Sequence, residues 1–185
     1  MSSNQDTKQP IYLKDYQAPD FQFGHVALDF QIEAEHTDVT STLQVERKGS
    51  PGAPMVLDGD DLELLSVSID SQVLSADRFA RSEKTLTIHQ VPDQFELVIG
   101  VRIYPKQNSS LMGLYESSGN LCTQCEPHGF RRMTYFMDRP DVMTRFTTTI
   151  TAAQSDYPYL LSNGNLIEKK ELDDGKHWVS GKIPP

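Results

Sequence analysis

The chain has 185 residues and a mass of 20.9 kDa, with 17 Lys and Arg against 26 Asp and Glu, a formal net charge of −9 and a pI near 4.9. That length fits one domain, and the acidic balance counts against a nucleic-acid binder or an anionic-membrane binder, both of which need clustered Lys and Arg. With 37% hydrophobic residues, including 7 Tyr and 8 Phe, it can build a core without a disulfide or metal staple.

The periodicity is two nearly everywhere. Val26, Leu28, Phe30 and Ile32 alternate with Ala27, Asp29, Gln31 and Glu33, as in a half-buried strand. After the polar link 35–38 comes the β-branched run Val39–Val45, and the two read as a hairpin. Leu62 to Ile69 predicts a further strand with Leu65, Val67 and Ile69 on one face. Leu86–Ile88 stops at Val91-Pro92, and Phe95–Ile103 follows, ending at Tyr104-Pro105. Later strands are expected at Phe146–Ile150, Tyr159–Leu161 and His177–Val179, with Asn163-Gly164 and Asp174-Gly175 as turn formers. No helical period lasts a dozen residues. Pro140 could start a single turn within Arg139–Phe146. Many short strands with Gly, Pro and Asn between them predict an all-β sandwich or barrel.

No run approaches the ~18 apolar residues of a membrane-spanning helix. Met1 to Lys8 is polar, without a signal-peptide apolar region, and two cysteines are too few for a secreted disulfide framework. A cytoplasmic location is the expectation.

Residues 105–143 break the alternation. Turn clusters at 105–110 and 116–120 flank a stretch dense in aromatic, charged and polar residues, and long irregular segments of that composition are usually functional. Cys122, Cys125 and His128 have a spacing that could hold zinc, but no fourth ligand accompanies them. A redox pair lacks its βαβ setting, a Cys nucleophile lacks an orienting third group, and two thiols packed beneath a loop account for the same residues. His25, His36, His89 and His177 are scattered and read as solvated or singly satisfied. Asp58-Gly-Asp60-Asp61 lacks the later positions of a calcium loop and reads as a solvated turn. No phosphate-loop, dinucleotide or nucleophile-elbow motif occurs, so no catalytic or metal residue is assigned in this chain.

The run Leu121-Cys-Thr-Gln-Cys-Glu-Pro-His-Gly-Phe-Arg-Arg-Met-Thr-Tyr-Phe-Met-Asp-Arg-Pro-Asp-Val142 resembles the N-terminal domain of the bacterial aminopeptidase N family, which are zinc metallo-aminopeptidases. Residues 15–20, Gly113-Leu-Tyr115, Arg145–Thr148, Tyr157–Asn165 and Gly175–Val179 extend the likeness in the same order, so that it covers residues 1–185 as one domain. The resemblance implies a saddle-shaped, mostly antiparallel, sandwich-like β-structure with a long functional loop. It implies a part rather than a whole enzyme: the family holds zinc through H-E-x-x-H on a separate catalytic domain, beside a G-A-M-E-N segment, and neither motif occurs here. The chain is expected to continue past Pro185 into that domain, its partner in the same polypeptide, which would dock on an exposed apolar face.

By the same resemblance the substrate-binding residues are Gln124 and Glu126. Glu126 would face the α-ammonium group at the N-terminus of a peptide substrate, and Gln124 would line the first side-chain pocket or bond the substrate backbone. Paired carboxylates around a partly desolvated ammonium form charge-assisted hydrogen bonds and fix the distance from the scissile carbonyl to the metal. Asp138, Arg139 and Asp141 read as structural, pinning the loop through Arg–carboxylate pairs. The other reading is a free-standing β-sandwich module that binds peptides or proteins without catalysis. The two differ in whether the reading frame continues into H-E-x-x-H.

Overall fold

In a computed structural model, residues 12–183 are described, and alternating burial organises them into thirteen strands. These are β1 (Phe21–Ile32), β2 (Thr37–Arg47), β3 (Met55–Asp58), β4 (Glu63–Ile69), β5 (Gln72–Val73), β6 (Phe79–Arg81), β7 (Thr85–Ile88), β8 (Gln94–Ile103), β9 (Gly113–Ser117), β10 (Asn120–Gln124), β11 (Arg145–Ala153), β12 (Asn165–Glu171) and β13 (Lys176–Lys182). Eight form one sheet in the order β12-β13-β11-β1-β2-β8-β4-β5. A three-stranded sheet, β3-β7-β6, and the hairpin β9-β10 complete the structure. Pairing is antiparallel except between β1 and β11, which run parallel with Leu28 opposite Thr148. The expected mostly antiparallel, sandwich-like class is the one observed.

The core joins the two larger sheets. Val26, Val39, Leu43, Leu97, Ile99 and Val101 of the large sheet and Met55, Leu57, Leu86 and Ile88 of the small one are fully buried in a single cluster. β7 and β8 follow each other in sequence yet lie in different sheets, so the chain changes layers across Val91-Pro92.

Two bulges decide which side chains enter that core. In β1 the buried positions are Phe21 and Phe23, then Val26, Leu28, Phe30 and Ile32. The register against β2 slips between Phe23 and His25. One extra residue reverses the side-chain phase, so both apolar sets face the same way. In β4 the slip lies between Leu64 and Ser66, and it corrects the sequence expectation: Leu65 turns outward while Val67 and Ile69 stay buried.

Tyr159–Leu161 is also corrected. It forms no strand, and Tyr159 and Leu161 are exposed. Asp174-Gly175 does turn β12 into β13, with Gly175 at φ 78. Asn163-Gly164 instead leads into β12. Pro140 sits in one turn closed by the Val142 N–H donating to the Arg139 carbonyl at 3.1 Å, without a helix.

Candidate functional site

The irregular segment begins as a hairpin. Gln124 pairs with Gly113 and Asn120 with Ser117, leaving a two-residue loop. Ser118 and Gly119, both at positive φ (52 and 82), turn it with the twist that neighbouring strands need.

Past Gln124 the strand gives way to a tight turn. The Gly129 N–H donates to the Cys125 carbonyl at 2.7 Å, and the Glu126–Pro127 peptide is cis. The Gln124 side-chain amide donates to the Glu126 carbonyl at 3.0 Å, which ties the two residues together. Gln124, Glu126, Pro127 and His128 are all exposed. Gly129 is buried, and a Cβ there would overlap the Gln124 carbonyl oxygen and lie 2.7 Å from the Cys125 Cα. Glycine is therefore what lets this turn close.

The next residues plunge into the protein. Met133, Thr134, Tyr135 and Phe136 are buried. Asp58 and Phe136 exchange backbone hydrogen bonds of 2.7 and 3.0 Å, attaching the segment to the end of β3. The Thr134 and Ser41 hydroxyls are 2.8 Å apart, satisfying each other beneath it. Phe136 lies 4.8 Å from Phe23 and 5.0 Å, edge to face, from Phe130, which in turn meets Phe146 at 5.6 Å. Offset and edge-on contacts of this kind add to the burial of the rings.

Three carboxylates from outside the segment, Asp58, Asp60 and Asp61, and one within it, Asp138, hold it in place. Arg131 donates from Nε to Asp138 at 2.9 Å and approaches Asp58 at 3.4 Å. Arg132 donates to Asp60 at 2.7 Å and to Asp61 at 2.9 Å, and Lys84 reaches the other Asp60 oxygen at 2.6 Å. Burial works to raise the Asp60 pKa, but the Lys84 hydrogen bond together with Arg132 outweighs it and holds the group below the usual carboxylate range. The 58–61 run is thus not the solvated turn expected of it; it is the docking site of Arg131 and Arg132. The opposite charges were visible in the sequence, but their meeting across some 70 residues was not.

Arg139 forks onto Asp141 at 2.9 and 2.7 Å and also donates to the Gln17 carbonyl. The Tyr16 hydroxyl donates to Asp141 at 3.0 Å. The Arg139 hydrogen bonds lower the Asp141 pKa, and the bond to Asp141 raises that of Tyr16. The pinning role expected of Asp138, Arg139 and Asp141 matches these contacts.

The Cys122, Cys125 and His128 set is not gathered. Both thiols are free. Among the described residues no three His, Cys, Asp or Glu side chains are grouped to hold a metal ion. Burial, followed by the charge of Asp138, pushes the Cys125 thiol up, away from the thiolate that a nucleophile needs. Of the remaining histidines, His25 meets the Thr147 hydroxyl at 2.9 Å and His177 the Tyr157 carbonyl at 2.7 Å.

What the fold defines is a mostly antiparallel β-domain that presents a short exposed turn on a deeply anchored base. Residues 14–181 match the Peptidase M1 N-terminal domain, and the chain belongs to that family. It is 46% identical over 180 residues to aminopeptidase N of Escherichia coli (strain K12), covering 96% of this chain and 20% of that protein. With aminopeptidase N of Haemophilus influenzae the identity is 41% over 176 residues, covering 94% and 20%. The chain thus spans about a fifth of the length of these curated relatives. Among solved structures, Legionella pneumophila aminopeptidase A in complex with aspartic acid superposes with a TM-score of 0.85 at 34% identity, covering 92% of this chain and 20% of that one. An M1 zinc metallopeptidase from Deinococcus radiodurans has the same fold (TM-score 0.73) at 18% identity, covering 90% and 40%.

Proposed function

We propose that this chain is the substrate-recognition and structural N-terminal domain of a zinc aminopeptidase that removes N-terminal residues from peptides, and that it is inactive alone. The zinc, the water it activates and the general base belong to the catalytic domain of the same polypeptide. This domain's contribution is the turn at 124–128, where Glu126 helps to anchor the substrate's α-amino group and Gln124 lines the first side-chain pocket or bonds the substrate backbone. The observation that carries the reading is the turn itself: Gln124 and Glu126 are exposed side by side, linked by the 3.0 Å bond from the Gln124 amide, on a base that is buried and ion-paired. The backbone that carries Glu126 is held in this way while its carboxylate stays exposed to a ligand, and fixing the backbone lowers the entropic cost of positioning.

Physically, the carboxylate of Glu126 selects the free ammonium of a chain terminus over an internal peptide bond, because only the former is a charged donor. The test is Glu126→Ala in the full-length protein, assayed with an aminoacyl chromogenic substrate. The expected result is a KM raised about tenfold or more with a smaller change in kcat. Unchanged kinetics would remove the assignment. Residues 1–185 alone should give no turnover.

A further inference from the structure

We propose that Asn108 is a positioning residue for the aminopeptidase reaction, holding the exposed turn at 124–128 in place through Gly113. This inference rests on the reading of that turn as the substrate anchor. The half-buried Asn108 side-chain amide donates to the Met112 carbonyl at 2.7 Å and to the Leu114 carbonyl at 2.9 Å, so it bridges the two residues that flank Gly113. The Asn108 Oδ1 accepts from the Ser110 N–H at 3.1 Å and from the Ser110 hydroxyl at 2.6 Å. Carbonyls only accept and an N–H only donates, so these partners fix which way the amide points, and every part of it is engaged.

Gly113 meets both ends of the turn. It is the last register partner in the β9–β10 hairpin, opposite Gln124. It is buried at φ 74, and a Cβ there would lie 2.8 Å from the Arg132 Cβ and 3.2 Å from the Gly129 carbonyl oxygen. From the other side, a Cβ on Gly129 would lie 3.0 Å from the Gly113 nitrogen. The backbones at 113 and 129 therefore pack with no side chain between them. β9 and β10 form a separate two-stranded sheet, and a lone hairpin has little stability of its own. Its open end, where Gln124 leads into Glu126, stays closed only if the incoming strand is held. Regular structure does not hold it: residues 108–112 lie in no strand, and Leu111 takes φ 57 on the way to Gly113. The Asn108 amide is what fastens this approach. A displaced Gly113 would carry Gln124 and Gly129 with it, and a misplacement of about 1 Å can cost about a hundredfold in rate.

Asn108→Ala and Asn108→Asp in the full-length protein test the proposal; the second keeps the shape and the acceptor but loses both donors. Hydrogen exchange is followed in segments 122–130 and 133–138, and kinetics with an aminoacyl chromogenic substrate. The expected result for both variants is exchange about tenfold faster in 122–130 with 133–138 unchanged, and KM raised about threefold to tenfold with kcat within about twofold. In a Glu126→Ala background the same substitutions should raise KM by less than about twofold, because the carboxylate they misplace is already gone. Equal acceleration in both segments, or failure of both variants to fold, would overturn the proposal, since Asn108 would then support the domain as a whole. A parental KM, or an increase undiminished without Glu126, would overturn it too. If Glu126→Ala raises KM and the Asn108 variants do not, this inference alone fails; if Glu126→Ala leaves KM unchanged, the anchoring reading fails and takes the positioning role with it.

Discussion

The tip and the base of the 122–142 segment differ in almost every physical respect. The tip, Gln124 to His128, is exposed and held by two short-range hydrogen bonds. The base, Phe130 to Asp138, has four consecutive buried residues, an aromatic cluster and ion pairs to Asp58, Asp60 and Asp61. The contrast shows how a domain can place an exposed side chain accurately. Accuracy comes from burying the residues next to the turn, and accessibility from leaving the turn itself out. Substitutions in the base should therefore change stability, and substitutions in the tip should change function alone.

The largest expected effect is at Phe136. Truncation to Ala empties a site packed against Phe23, Phe130 and Phe146 and should cost about 3–5 kcal/mol in urea unfolding. A loss below about 1 kcal/mol would mean that the base is not part of the core. Next is Asp138→Ala, which leaves the Arg131 guanidinium and backbone N–H without their carboxylate. A destabilisation of about 1.5–3 kcal/mol is expected by the same measurement. Gly129→Ala lies where base meets tip. The added methyl group collides with the Gln124 carbonyl, so a cost of about 1–3 kcal/mol should accompany a raised KM in the full-length protein. A change in one without the other would separate the two regions more sharply than they are drawn above.

The Asp60 clamp predicts a pH dependence. Its folded-state pKa is depressed, so its contribution is present above the unfolded value near 3.9 and is lost as pH falls through the lower folded value. Stability followed from pH 7 down to about pH 3 should fall less steeply in Asp60→Asn than in the parent protein. The smallest effect belongs to the tip. Glu126→Ala should leave the unfolding free energy within about 0.5 kcal/mol of the parent, because the side chain is exposed and only its backbone carbonyl is bonded. Appreciable destabilisation would show Glu126 to be structural and would break the contrast.

Much of the sheet was legible in the sequence because a strand's pattern is local. Alternation at Val26–Ile32 and Phe95–Ile103 needs only a two-sided strand with one face in the core, and β1 and β8 contain those residues. The exposed turn and its two polar residues were found through a resemblance, since an exposed Glu before a Pro carries no periodic signal. Long-range pairing and phase were not legible. Leu65 fits the alternation of its neighbours, yet the bulge opposite β8 turns it out. Tyr159–Leu161 has strand-forming residues, yet nothing among the described residues pairs with them in a ladder. The acidic run at 58–61 looked like solvent-facing charge until Arg131 and Arg132 were brought onto it. The sequence by itself determined which residues prefer an extended, half-buried backbone, because that preference is set within a few residues. Only the tertiary structure decided which extended segments found partners, which side faced the core and which charges met, because those outcomes depend on groups dozens of residues apart sharing one small space.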